Sequence, residues 1–280
     1  MQRNNFIERS LAGALSFLRE SIFADEYALK KGLLQSLDSR VKAATFLVFI
    51  IQALLIKQAV LLFCLYAFCL LLARLSNIRL GFFLQRTWIF MPLFSLFIAL
   101  PALFSIFTPG EALLSFKIAG IQLIITRQGL GGAFLFIMRV ITCVSFVVLL
   151  SITTRHFTLL KVLRTFKVPQ VFVMTAGMSY RYIYLFVGII ENTYLALKSR
   201  IGTRIHRRKG QHLVAWNIAY LWQRSYHLNE DVYKAMLSRG YSGEPVVADD
   251  FKIKARDLLW ICVVFMVFIS VLYLNYRMKI

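Results

Sequence analysis

The chain is 280 residues long and 59% hydrophobic, with 33 Lys and Arg against 13 Asp and Glu, a formal net charge of +20. Several apolar runs approach the ~20 residues needed to span hydrocarbon, which excludes an ordinary soluble domain and makes the chain polytopic in a membrane. In a soluble protein such a charge would suggest nucleic acid; beside a mean hydropathy of +0.68 it points to cytoplasmic loops obeying the positive-inside rule, next to anionic lipid or an acidic partner.

Residues 1–40 read as a cytoplasmic or interfacial segment. Asn5 to Phe23 sets Phe6, Ile7, Leu11, Leu15, Leu18 and Ile22 on one helical face and Glu8, Arg9, Arg19 and Glu20 on the other, as suits a helix lying on the membrane or on its own bundle. Asp38 or Ser39 can cap the next helix, and Arg40 and Lys42 mark a cytoplasmic flank.

Residues 41–154 read as transmembrane helices one to four. Val41–Ile56 and Ala59–Leu75 are the first two, separated by Lys57-Gln58, and both are a little short. Arg74, Arg79 and Arg86 line a basic cytoplasmic segment. Trp88–Phe107 is the third span, interrupted by Pro92 and Pro101. An external loop follows near 108–130, in which Leu113–Thr126 partly alternates and breaks at Ala119-Gly120, the pattern of a small hairpin. Gly131–Thr153 is the fourth span. It holds Arg139, a charge inside hydrocarbon, with two readings: contact with a membrane partner, or an Arg near the outer boundary that snorkels or bonds helix carbonyls.

Residues 155–250 read as a basic cytoplasmic region of coupling helices. From Arg155 to Gly210 there are eleven Lys or Arg and one acid, Glu191. A short helix, His156–Lys167, is broken at Val168-Pro169. One long helix covers Pro169–Arg200, and Gly202–Gly210 is a basic connector. Gln211–Arg239 is mostly helical, with a break near Leu228-Asn229, and Gly240 closes it. Val171–Ile190 is apolar enough to cross a membrane. Crossing would put Lys198, Arg200, Arg204, Arg207, Arg208 and Lys209 outside, against the positive-inside rule, so a helix buried under the bundle, against other helices and a partner, is expected instead. Residues 251–280 hold the final span, Leu258–Leu274. The expected fold is all-α and polytopic, with about five transmembrane helices plus long cytoplasmic coupling helices.

The chemistry of an enzyme or ion carrier is missing. There is no Walker motif, H-E-x-x-H or G-x-S-x-G. His156, His206, His212 and His227 all fall in the basic region, and the predicted spans contain no carboxylate or His. Cys64, Cys69, Cys143 and Cys262 sit in apolar runs without a C-x-x-C pair. No catalytic residue, metal ligand or cofactor is assigned, and a scaffold that transmits force or holds partners is favoured.

Two segments end alike, in Ser199-Arg200-Ile201-Gly202 and Ser238-Arg239-Gly240. Arg pairs bidentately with carboxylates and stays charged when partly buried, a small residue before it permits close approach, and two such tips suit two equivalent sites on a dimer. Basic residues in a last helical turn followed by Gly are also the commonest helix stop.

The chain resembles the transmembrane T component of energy-coupling factor (ECF) transporters, of the CbiQ type found in cobalt uptake systems. The matching residues are Asn5-Phe6-Ile7-Glu8-Arg9, Phe23-Ala24-Asp25-Glu26-Tyr27, Leu37-Asp38-Ser39-Arg40-Val41-Lys42, Phe166-Lys167-Val168-Pro169, Ser179-Tyr180-Arg181-Tyr182-Ile183 and Ala235 to Glu244. The resemblance implies a non-catalytic subunit of a bacterial or archaeal cell membrane importer. It also implies two ATP-binding-cassette ATPase subunits docked at Ser199, Arg200, Ile201, Ser238, Arg239 and Gly240, and a separate CbiM-like membrane subunit capturing cobalt or nickel. Both tips carry Ser where the family has Ala, and the first lacks Gly directly after Arg. The alternatives are a T component serving vitamin uptake, a self-contained carrier, and a membrane-bound enzyme.

Overall fold

The computed structural model describes residues 28–30, 32–88, 91–101, 112–118, 121–201, 207–243 and 254–277. The amphipathic segment expected at Asn5–Phe23 and the helix stop expected at Gly202 lie outside them. The chain divides into two units, one of residues 24–158 and 251–280, the other of residues 1–23 and 159–250. The fold is that of an all-α polytopic membrane protein.

In the first unit, extended Asp38 accepts a hydrogen bond from the Arg40 N–H at 2.8 Å and so starts α1, Ser39–Leu55. Ile56 and Gln58 are extended, and α2, Ala59–Leu75, follows. The end of α2 returns to the start of α1: Leu33 N–H reaches the Leu75 carbonyl at 3.4 Å, and Gln35 Nε2 the Ser76 carbonyl at 3.0 Å. Next come α3 (Leu80–Trp88), α4 (Met91–Ala99), and strands β1 (Ala112–Ile118) and β2 (Ile121–Thr126), paired antiparallel with Ile118 opposite Ile121. The Thr126 hydroxyl accepts from the Gly129 N–H and starts α5, Arg127–Thr153, which packs against α1, α2, α3 and α4. The last helix of this unit is α9, Ala255–Arg277.

Two bonds at opposite ends make α1 and α5 antiparallel. Buried Lys42 donates Nζ to the Thr153 carbonyl at 3.0 Å and to Thr154 Oγ1 at 3.1 Å, while Arg139 donates Nη2 to the Ile56 carbonyl at 2.7 Å. Between them Phe49 stacks on Phe146 at 5.1 Å, with Phe46 tilted against the same ring; all three are fully buried. Along a second face, α1 and α9 run parallel. Asp38 N–H donates to Asp257 Oδ1 at 2.8 Å, Trp260 Nε1 to Thr45 Oγ1 at 3.1 Å, and Gln52 Nε2 to the Phe268 carbonyl at 3.3 Å. Asp38, Thr45 and Gln52 are two helical turns apart in succession, so all three face the same way.

The second unit holds most of α6 (His156–Thr165), α7 (Gln170–Ile201) and α8 (Arg207–Ser238). α6 ends where Phe166, Lys167 and Val168 turn their N–H groups back onto its last carbonyls, with Lys167 at φ 62°, and Pro169 cannot continue it. The same turn ends α2, with Asn77 at φ 55°.

Several expectations are corrected. Trp88, the expected start of the third span, is the last described residue of α3 and donates Nε1 to Tyr66 Oη at 2.8 Å; of the expected run the described helix is α4. Lys42, expected as a flanking cation, is 1% exposed and acts as a buried donor. α8 runs unbroken through Leu228-Asn229 because neither residue removes a backbone donor, and it takes in Arg207 to Gly210 from the expected connector. Within the chain the apolar window of α7, Gln170–Thr193, is not enclosed, and Phe172 is 70% exposed. Among the described residues this unit supplies only α6 and α8 beside the 32-residue α7, too few neighbours to cover its circumference. Among the described residues three helical stretches are long and apolar enough to cross a membrane, in α5, in α7 and in α9; α2, at 17 residues, is apolar and shorter.

Candidate docking tips

The two Arg-ended segments close α7 and α8. In the first, the Ser199 hydroxyl donates to the Ala196 carbonyl at 2.8 Å; in the second, the Ser238 hydroxyl donates to the Ala235 carbonyl at 3.1 Å. Each Ser therefore satisfies itself on its own helix, and each lies three residues after an Ala, giving Ala-x-x-Ser-Arg twice. That longer repeat was present in the sequence and is a sharper signal than the Ser-Arg pair alone.

Beyond each Ser the guanidinium projects outward. Arg200 and Arg239 are both exposed, and among the described residues neither forms an ion pair. Ile201 is the last residue of α7. The second tip is the better defined. Gly240 N–H donates to the Leu237 carbonyl at 3.0 Å and Tyr241 N–H to the Met236 carbonyl at 3.0 Å, with Gly240 at φ 82°. This satisfies the final carbonyls of α8 and presents Arg239 on a rigid turn. Tyr241 then reaches back to α7: its hydroxyl lies 3.8 Å from Met174 Sδ and donates to the Gly243 carbonyl at 2.9 Å. Tyr241 thus fixes the end of α8 against the first turns of α7. Sequence reasoning gave it no role, since its partner lies 67 residues away.

The helices behind the tips carry uncovered aromatic surface. On α8, Trp216 and Tyr220 stack at 5.9 Å and Trp222 is 80% exposed; on α7, the hydroxyls of Tyr180 and Tyr184 meet at 2.7 Å. Large exposed aromatics of this kind mark contact with protein or membrane more often than a solvated face. Arg139 lies elsewhere, in the first unit, half-buried on α5 with Nη2 on the carbonyl that ends α1.

The covalent links between the units leave the first unit beside its most tightly bonded corner. Thr153 and Thr154, held by Lys42, precede the first residue of α6, His156, by three and two residues. Asp257, 1% exposed, accepts from both the Asp38 N–H and, at 2.7 Å, the Lys254 N–H at the start of α9. From sequence Lys42 reads only as a flanking cation and Asp257 is not singled out, because Lys42 pairs with Thr153 and Asp257 with Asp38 across more than a hundred residues.

The CbiQ family of cobalt transport proteins matches residues 30–248. An uncharacterised protein of Methanocaldococcus jannaschii, MJ1571, is 33% identical over 258 residues, covering 92% of this chain and 88% of that protein. The energy-coupling factor transporter transmembrane protein EcfT of Streptococcus thermophilus is 28% identical over 263 residues, covering 87% of this chain and 92% of that protein.

Proposed function

The chain belongs to the CbiQ cobalt transport protein family, and from that premise we propose that it is the membrane-embedded coupling subunit of an ECF-type importer. It makes no covalent change in a substrate. Two ATP-binding-cassette ATPases take the tips Ser199-Arg200-Ile201 and Ser238-Arg239-Gly240 from the cytoplasm, each Arg entering an acidic groove on one ATPase. Closure of the ATPase dimer draws the tips together, and α7 and α8 carry that motion to a CbiM-like membrane subunit that captures cobalt or nickel. Arg139 contributes a contact to that subunit besides its bond within the bundle.

The observation that carries this reading is the doubling of one local structure. Two 32-residue helices end in the same Ala-x-x-Ser-Arg sequence, each Ser bonded to the carbonyl three residues back and each Arg exposed and without an ion pair among the described residues. One Arg-ended helix is a common stop; two alike suit a two-fold partner. The family match and the full-length similarity to a protein named as an ECF transmembrane component support the same reading.

The test is co-purification in mild detergent with the ATPases encoded beside it. The Arg200→Glu/Arg239→Glu protein should lose the ATPases. The Ser199→Ala/Ser238→Ala protein should keep them, because each hydroxyl is already bonded to a carbonyl of its own helix. Equal recovery with the Glu variant would move the contact elsewhere on α7 and α8. Absence of ATPases from the wild-type sample would favour a self-contained carrier.

A further inference from the structure

The two tips belong to opposite ends of one helix. Met174 is the fifth residue of α7 and Arg200 is one residue from its end. The 26 residues of unbroken helix from one to the other rise ~39 Å at about 1.5 Å each. The second tip is tied to the Met174 end. Tyr241, two residues after Arg239, brings its hydroxyl to 3.8 Å from Met174 Sδ. Two residues of chain and two side chains reach roughly 20 Å at most, which leaves about 20 Å or more between Arg239 and Arg200. An Arg fork meets a carboxylate at about 3 Å, so one acidic cluster cannot take both.

The joint is built from both sides. Gly240 at φ 82° turns the chain, Tyr241 N–H closes onto the Met236 carbonyl at 3.0 Å, and the Tyr241 hydroxyl donates to the Gly243 carbonyl at 2.9 Å. The ring is thus held at its backbone and at its far end. On α7, Gly177 lies one turn after Met174 on the same face, and a Cβ there would come within 4.0 Å of Leu160 Cδ1 of α6. The first turns of α7 therefore receive both α6 and the end of α8.

Little else fixes one long helix on the other. No residue of α7 or α8 whose side chain is described is buried. A helix pair without an enclosed core opens at low cost, so a contact between residues 67 apart in sequence decides where the end of α8 rests.

We propose that Tyr241 is the positioning residue of the second tip. By holding the end of α8 on Met174 it keeps Arg239 at the far end of α7 from Arg200, so that the chain fits a partner with two separate acidic grooves rather than one. The partner rests on the docking reading above; the placement of the tips does not. When the ATPases close, Arg239 moves about this joint, because α7 itself is one unbroken helix.

The first part of the test needs no ATPase. The full chain carries Leu195→Cys and Lys234→Cys, with Cys64, Cys69, Cys143 and Cys262 changed to Ala, and double electron–electron resonance between nitroxide labels in detergent reports the distance between the two ends. One narrow distribution is expected. Tyr241→Ala and Met174→Ala should each broaden it, and the double variant no further than either alone, because both remove the same contact. Met174→Leu, which conserves volume, and Tyr233→Ala, at an exposed position of α8, should leave it narrow and show that the unit stays folded. In the second part Tyr241→Ala, with both Arg intact, should recover several-fold less ATPase than the wild type, since the two contacts no longer reinforce each other. An unchanged distribution in Tyr241→Ala would overturn the proposal. A broadened distribution with wild-type ATPase recovery would overturn it too, because the partner would then not read the spacing. Absence of ATPases from the wild-type sample would instead overturn the docking reading, and the distances would decide the placement alone.

Discussion

Lys42 Nζ lies 3.0 Å from the Thr153 carbonyl oxygen, joining the first turn of α1 to the last residue of α5 across 111 positions of sequence. The carbonyl is one of those that a helix end leaves without an intrahelical partner, and a cation is the strongest donor it can be offered. The same nitrogen takes Thr154 Oγ1, the residue that ends α5 before α6 begins.

Replacing Lys42 by Met should keep the stem's packing and remove the charged bond, at a cost of about 1.5–3 kcal/mol. Replacing it by Ala adds a cavity, for a loss of about 2–5 kcal/mol from that source. Heat denaturation of the purified chain in detergent gives the order: wild type, then Met, then Ala. An Ala protein as stable as the Met protein would show that the stem contributes no packing.

Asp257 is expected to be the most sensitive carboxylate in the first unit. Asp257→Ala leaves the Asp38 and Lys254 N–H groups without their acceptor, each about 1–3 kcal/mol when buried. Asp257→Asn retains one acceptor and should fall between. Hydrogen exchange at these two amides provides the readout. Unchanged protection in the Ala protein would mean that other groups hold the starts of α1 and α9 together.

Two helix ends predict effects of opposite sign. Gly240 stands at φ 82° with nothing within 4 Å of an added Cβ, so Gly240→Ala costs only the left-handed backbone, about 1–2 kcal/mol. Lys167 occupies the equivalent position at the end of α6 with φ 62°, and there Lys167→Gly should stabilise by up to about 1 kcal/mol. Paired melting curves decide it. If both variants shift the same way, backbone conformation is not what limits these turns.

Arg139 gives a prediction that separates its two roles. Its Nη2 bonds the Ile56 carbonyl at 2.7 Å, so Arg139→Leu should lower stability by about 1.5–3 kcal/mol. Co-purification of the substrate-binding subunit at a temperature where the variant is folded then measures partner contact alone. Loss of that subunit supports the contact; full retention confines Arg139 to the end of α1.

What the sequence determined by itself is whatever depends on neighbouring residues. The second span, Ala59–Leu75, is the observed α2 residue for residue, since an apolar run bounded by Lys57-Gln58 and a Ser-Asn turn has no other local solution. Val168-Pro169 ends α6 and Gly240 ends α8 for the same kind of reason: a ring without an N–H, and a residue without a Cβ. The tertiary structure decided which polar groups pair. Arg40 and Lys42 look alike as flanking cations, yet Lys42 points inward because α5 brings an unsatisfied carbonyl to it. Asp38, Thr45 and Gln52 form a polar stripe whose purpose appears only when α9 lies alongside with Asp257 and Trp260. The apolarity of α7 was legible, but not its exposure. Burial depends on how many neighbours the fold supplies, and no stretch of sequence carries that count.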